Sequence, residues 1–204
     1  MVEETDWPDV TPPRKLSSNE RLIGCDASVG DFWAWSYSDI LLNIERAVFA
    51  EFIVGSALGL TDGTRRTWDC VDHKYRGKKI EVKATGLAQR WREGKKRSPP
   101  SFDIAKHVCV KWGEPYAEPG AQAVRSADCY VFCVHAETDS KTANPLDMSK
   151  WKFFVMATET INEIFGYQKS VALSVLKKHY EMKHCIKTDF EGLRKAIDAV
   201  LGLD

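Results

Sequence analysis

The sequence has no long apolar run. Its most hydrophobic stretch, Ala47 to Leu60, is interrupted by Glu51 and is too short and too polar to span a bilayer. It has no surplus of charge: 29 Lys and Arg balance 29 Asp and Glu over 204 residues. Attraction to a polyanion therefore has to come from a local patch. None of its cysteines (Cys25, Cys70, Cys109, Cys129, Cys133, Cys185) forms a Cys-x-x-Cys pair. They are expected to be mostly small core residues of a reducing compartment. His179, His184 and Cys185 lie close together but lack the regular ligand spacing of a zinc site. There is no Gly-x-Ser-x-Gly, no Gly-Lys-Ser/Thr phosphate loop and no His-Glu-x-x-His. Those absences remove the hydrolase elbow, the nucleotide-binding loop and the zincin helix. The first residues are acidic and proline-containing, unlike a signal peptide, so a cytoplasmic location is expected.

What is present is a globular composition, 44% hydrophobic, at a length that suits one domain. Residues 1–37 read as an N-terminal arm with an aromatic-rich end holding Phe32, Trp33, Trp35 and Tyr37. Such density is more often core or a dimer surface than a base-stacking platform. Residues 38–204 read as a single domain with its core at about 40–155. Ser38-Asp39 can cap a helix from about Ile40 to Leu58 that stops at Gly59. Strands are expected at about 67–73 and 78–85. The continuous apolar run Cys129–His135 reads as a central strand and Trp151–Met156 as another. Helices follow at about 158–165, 170–180 and 190–201. The order implies a mixed sheet of four or more strands flanked by helices, with extra helices at the C-terminal end.

Within that order, Lys79-Ile80-Glu81-Val82-Lys83-Ala84-Thr85-Gly86 carries the chemistry. Strand side chains alternate, so Ile80, Val82 and Ala84 face a core while Glu81 and Lys83 share the other face, about 7 Å apart. Asp69 lies upstream across a Tyr75-Arg76-Gly77-Lys78 turn. Asp72 competes with it, but on a strand over 67–73 its parity is opposite, so Asp69 is preferred. Glu51 stands on the preceding helix among Ala50, Phe52, Ile53 and Val54, where a carboxylate needs a partner, a metal or a raised pKa. Glu45, nearer the helix start, can simply be solvated. Arg90, Arg92, Lys95, Lys96 and Arg97 follow the strand closely, with Gln89 before them, a placement that suits contact with a phosphate backbone.

An Asp, a hairpin, a Glu-x-Lys and an inward Glu on the preceding helix resemble the PD-(D/E)xK nuclease superfamily, of restriction-endonuclease-like fold. The resemblance covers about 40–155, with Trp68 where the pattern has proline. It implies a metal-dependent nuclease acting on nucleic acid, with DNA as the expected substrate, Mg²⁺ as cofactor and Mn²⁺ as a substitute. It assigns Asp69, Glu81, Lys83 and Glu51 to catalysis. Asp69, Glu81, Glu51 and the Val82 carbonyl become the metal ligands, hard oxygens of the kind Mg²⁺ prefers. Gln89 would position substrate or Lys83. The alternatives are a catalytically silent nucleic-acid-binding or assembly module of the same fold, and an unrelated α/β scaffold. A homodimer is compatible with the aromatic segment and the last helix.

Overall fold

A computed structural model describes residues 13–65, 69–88, 99–109 and 120–203. Its organising element is a five-stranded mixed sheet in the order β1-β2-β4-β5-β7. The strands are β1 (His73–Tyr75), β2 (Lys78–Gly86), β4 (Cys129–His135), β5 (Trp151–Ala157) and β7 (Ile186–Thr188). β1 and β2 form an antiparallel hairpin, β2 runs parallel to β4, and β5 lies antiparallel to both β4 and β7. A separate antiparallel pair joins β3 (Ser101–Asp103) to β6 (Ser170–Ala172).

Helices cover both faces. α2 (Asn43–Leu58) and α5 (Leu193–Leu201) lie over one face, where Ile53, Val54, Ile80, Val82, Val131, Phe153 and Ile197 meet. The other face packs Tyr130, Phe132 and Phe154 against α3 (Thr158–Phe165), α4 (Leu173–Glu181) and the β3/β6 pair. Every residue of β4 is buried, as the apolar run predicts for a strand covered on both sides. Arg125 ties this second layer together. Its buried guanidinium donates to Asn162 and to the carbonyls of Ile104, Gly166 and Gln168.

Four local expectations change. α2 starts at Asn43 behind Leu42, with no side-chain cap, so Ser38-Asp39 does not cap it. Ser38 instead closes a separate helix, α1 (Val29–Tyr37), whose N-terminus carries a reciprocal Ser28–Asp31 capping box. The aromatic segment is therefore helical, and Phe32, Trp33, Trp35 and Tyr37 are exposed rather than core. The strand expected over 67–73 is absent at 69–72, which bend, and β1 begins only at His73. Finally, 170–172 pair with β3 instead of opening α4.

Cys129, Cys133 and Cys185 are buried as expected, whereas Cys25 is exposed and Cys70 is disulfide-bonded to Cys109. Burial pushes the Cys129 thiol up to about 12 and that of Cys185 to about 11, which leaves both inert. Cys185 Sγ lies 3.9 Å from the Leu176 carbonyl, while His179 and His184 face one another with their Nδ1 atoms 3.1 Å apart.

Candidate active site

The β1–β2 hairpin and the middle of α2 bring four charged groups together. On β2, alternation places Glu81 and Lys83 on one face, and the Lys83 ammonium donates to Glu81 Oε1 at 2.6 Å. Both side chains are mostly covered, at 19% and 25% exposure. Burial opposes the lysine's charge, but the Glu81 carboxylate, with Asp72 and Asp103 further off, outweighs it and raises the Lys83 pKa above its ordinary value. Lys83 is therefore a cation at any physiological pH.

Asp72 occupies the bend just before β1. Its Oδ2 accepts the Val82 N–H at 2.7 Å, and its own N–H donates to the Ile80 carbonyl at 3.1 Å. Those two bonds fasten it alongside β2. Burial comes first, then repulsion from Glu81 and Glu51, in lifting its carboxyl from 3.8 to about 7. Asp69, three residues earlier, accepts its neighbour Cys70's N–H at 2.7 Å. The parity argument that favoured Asp69 presumed a strand over both residues. Without that strand, Asp72 is the aspartate whose charge couples to Glu81, Glu51 and Lys83.

Glu51 is buried on α2, and its partner is Arg65. The guanidinium donates Nε to Oε2 at 2.5 Å and Nη2 to Oε1 at 2.6 Å. Arg65 is a residue the sequence pattern does not single out, since a basic pair after a loop usually reads as a solvated face. The helix backbone joins the site too: the Glu51 carbonyl lies 2.9 Å from His73 Nε2, and burial lowers the pKa of that imidazole. Glu45 lies on the first turn of α2 and is half-buried. From the second layer, Asp103 on β3 adds negative charge near Lys83 and Tyr130. Tyr130 sits beside Glu81 in the parallel register and is 4% exposed.

Among the described residues, no three or more His, Cys, Asp or Glu side chains stand together as a ready metal-ligand set. The ion pairs give a physical reason: Glu51 and Glu81 are each turned onto an internal cation. Gln89, Arg90, Arg92, Lys95, Lys96 and Arg97 lie outside the described residues. No helix among the described residues is long and apolar enough to cross a membrane.

This geometry falls within a recognisable family. The family model for bacteriophage T4 endonuclease IV matches residues 34–174, more than half of the chain. The chain belongs to that family. The match runs from the end of α1 into α4 and takes in Glu51, Arg65, Asp69, Asp72, Glu81, Lys83 and Asp103. Comparisons with curated proteins and with solved structures gave no match. For this endonuclease IV family member, nuclease is the class of activity to be explained.

Proposed function

We propose that the protein is a divalent-metal-dependent nuclease that hydrolyses phosphodiester bonds in DNA. The proposal names Asp72, Glu81 and Lys83 as the central groups, Glu51 as a supporting carboxylate, and a PD-(D/E)xK type of site. The observation that carries it is the electrostatic coupling of Asp72 to Glu81, Glu51 and Lys83 where α2 meets the β1–β2 hairpin, inside the span matched by an endonuclease family.

The donor chemistry fits a hard cation. Burial and the charges of Glu81 and Glu51 raise the Asp72 carboxyl to about 7, so a cation bound beside it would favour its ionised, oxygen-donating form. Asp72, Glu81 and the Val82 carbonyl would hold Mg²⁺ or Mn²⁺, with Glu51 behind them and Asp69 as the other candidate aspartate. When bound, the ion polarises a phosphoryl oxygen and makes water a better nucleophile. The chain's own residues do the rest. Lys83, held protonated, donates to a phosphate oxygen and offsets the charge that builds there. It does not serve as a general base. The water oxygen bonds to phosphorus as the bond to the leaving ester oxygen breaks; the proton the water gives up to solvent balances the one the leaving oxygen takes from it. Tyr130, beside Glu81 in the sheet register and buried, borders the site.

The catalytically silent reading draws on one observation, the neutralisation of Glu51 by Arg65 and of Glu81 by Lys83. Linear, circular, single-stranded and branched DNA, and RNA, incubated with Mg²⁺, Mn²⁺ or chelator separate the two. The nuclease reading expects metal-dependent DNA cleavage. It also expects loss of roughly 10²-fold or more in Lys83→Ala and Asp72→Asn, the scale for removing one charge-stabilising group. Asp69→Asn stays close to wild type. Salt-sensitive binding without cleavage in any metal would support the silent module instead.

A further inference from the structure

Arg46 is a buried cation without an anion. It stands near the start of α2 at 1% exposure, and a guanidinium keeps its proton at any physiological pH. Nη2 donates to the Asn43 side chain and Nη1 to the Ala88 carbonyl at 3.4 Å, both neutral acceptors, while Nε has no hydrogen-bond partner. Burial works against the charge, and no carboxylate among the described residues offsets it. A charge held this way is costly, because no partner returns what desolvation takes.

The surroundings suit an anion. α2 runs antiparallel to β2: Arg46 lies against Gly86, where a Cβ would come within 2.1 Å of Nη1, and Gly55 lies against His73, which pairs with Ile80. The positive end of α2, which starts without a side-chain cap, therefore sits over the carboxyl ends of β2 and β4. Those two strands are parallel and finish side by side at Gly86 and His135. Helix N-termini favour anions, and crevices at the carboxyl ends of parallel strands favour ligands. His135 is fully buried there and lies within the field of Arg46. Asn43 is exposed, so the oxygen it lends to Arg46 can be exchanged for a ligand's without opening the core.

We propose that this crevice is an oxyanion site that takes a phosphate group of the nucleic-acid strand, with Arg46 as its buried anchor and Asn43 as the neutral stand-in that yields to it. The phosphate held here is not the one that is cut. Arg46 is about 7.5 Å of helix from Glu51, and Gly86 is about 10 Å of strand from Lys83. At ~3.4 Å per nucleotide, those spans place it two to three nucleotides along the strand. The source of the phosphate rests on the nuclease reading; the site itself does not.

Asn43→Asp is the deciding variant, because it offers Arg46 a carboxylate from an exposed position and leaves the core alone. Metal-free protein in chelator is melted with inorganic phosphate against chloride at matched ionic strength. Wild type is expected to gain roughly 3–6 °C at saturating phosphate. Asn43→Asp should melt above wild type without phosphate and lose that gain, apart from the general stabilisation that phosphate salts give any fold. Ile44→Asp, with the same charge on the exposed neighbouring position, should keep the gain, and Arg46→Gln should lose it. A DNA oligonucleotide in the same buffer identifies the source. Phosphate should compete with it, and Asn43→Asp should bind it more weakly than Ile44→Asp, with a salt slope shallower by about one. A phosphate gain in wild type no larger than in Asn43→Asp would overturn the site. A gain lost in Asn43→Asp with DNA binding equal in the two aspartate variants would overturn the nucleic-acid strand as its ligand in favour of free phosphate. Failure of the nuclease reading shows separately, as DNA left uncut in every metal, and does not move the melting result.

Discussion

Replacing Asp72 with Asn should make the metal-free protein more stable at alkaline pH while removing its activity. The Asp72 carboxyl rises from 3.8 to about 7 on folding, through burial and then the charges of Glu81 and Glu51. The native state therefore holds this proton more tightly than the unfolded chain does. Between those two pH values the native state binds more protons, so stability falls as pH rises, and the full cost is present above about 7. At about 1.36 kcal/mol per pKa unit the ceiling is roughly 4 kcal/mol. Relaxation and sharing across a coupled site bring the expected gain nearer ~2 kcal/mol. Asparagine is nearly isosteric and still offers an oxygen to the Val82 N–H, so the hairpin bond at 2.7 Å survives. Urea unfolding in chelator at pH 5 and pH 8.5 measures the effect as the difference between variant and wild type. That subtraction also cancels His73, whose lowered pKa works in the opposite direction. The difference should grow from pH 5 to 8.5. A variant no more stable than wild type at pH 8.5 would refute the claim that buried repulsion acts on Asp72.

Two further outcomes test the frame around the site. A Cβ at Gly86 would lie 2.1 Å from Arg46 Nη1, and that guanidinium is itself buried and engaged with Ala88 and Asn43. Gly86→Ala should therefore cost about 1–3 kcal/mol, the usual range for overpacking, read from the urea midpoint. The Cys70–Cys109 bridge spans a sequence separation of 39 residues, for which loop closure contributes roughly 4 kcal/mol. Cys109→Ser should lose that amount in oxidising buffer and nothing further on adding a thiol reductant, whereas wild type should fall to the variant's level on reduction.

The central sheet was legible because its inner strands leave little choice. Cys129–His135 is apolar throughout, and only a strand buried on both faces has use for such a run. α2 showed itself by helical spacing and by Gly59, which takes the left-handed conformation at φ 75° that ends it. β3 and β6 were not legible as partners, because three-residue strands found through distant pairing leave no periodicity. The capping box of α1 stands in the sequence as Ser28 and Asp31, inside a stretch read as an N-terminal arm. At the site, alternation correctly put Glu81 and Lys83 on one face. The same argument does not apply to Asp69 and Asp72, because parity holds only inside a strand and β1 starts at His73. Arg65 was out of reach of pattern reasoning, since a loop cation that folds back fourteen positions onto a helix has no spacing rule to announce it.

The Cys70–Cys109 bridge also decides which parts of the site are covalently inseparable. Asp72, Glu81, Lys83 and Asp103 all lie between the two cysteines, on one closed ring of chain, whereas Glu51 and Arg65 stand on the open chain before it. A peptide bond cut anywhere within the ring leaves those four residues in one molecule until the bridge is reduced. A cut between Arg65 and Cys70 frees Glu51 and Arg65 from any covalent hold on them. Limited proteolysis without a reductant thus divides the site into a tethered reaction centre and a detachable counter-charge.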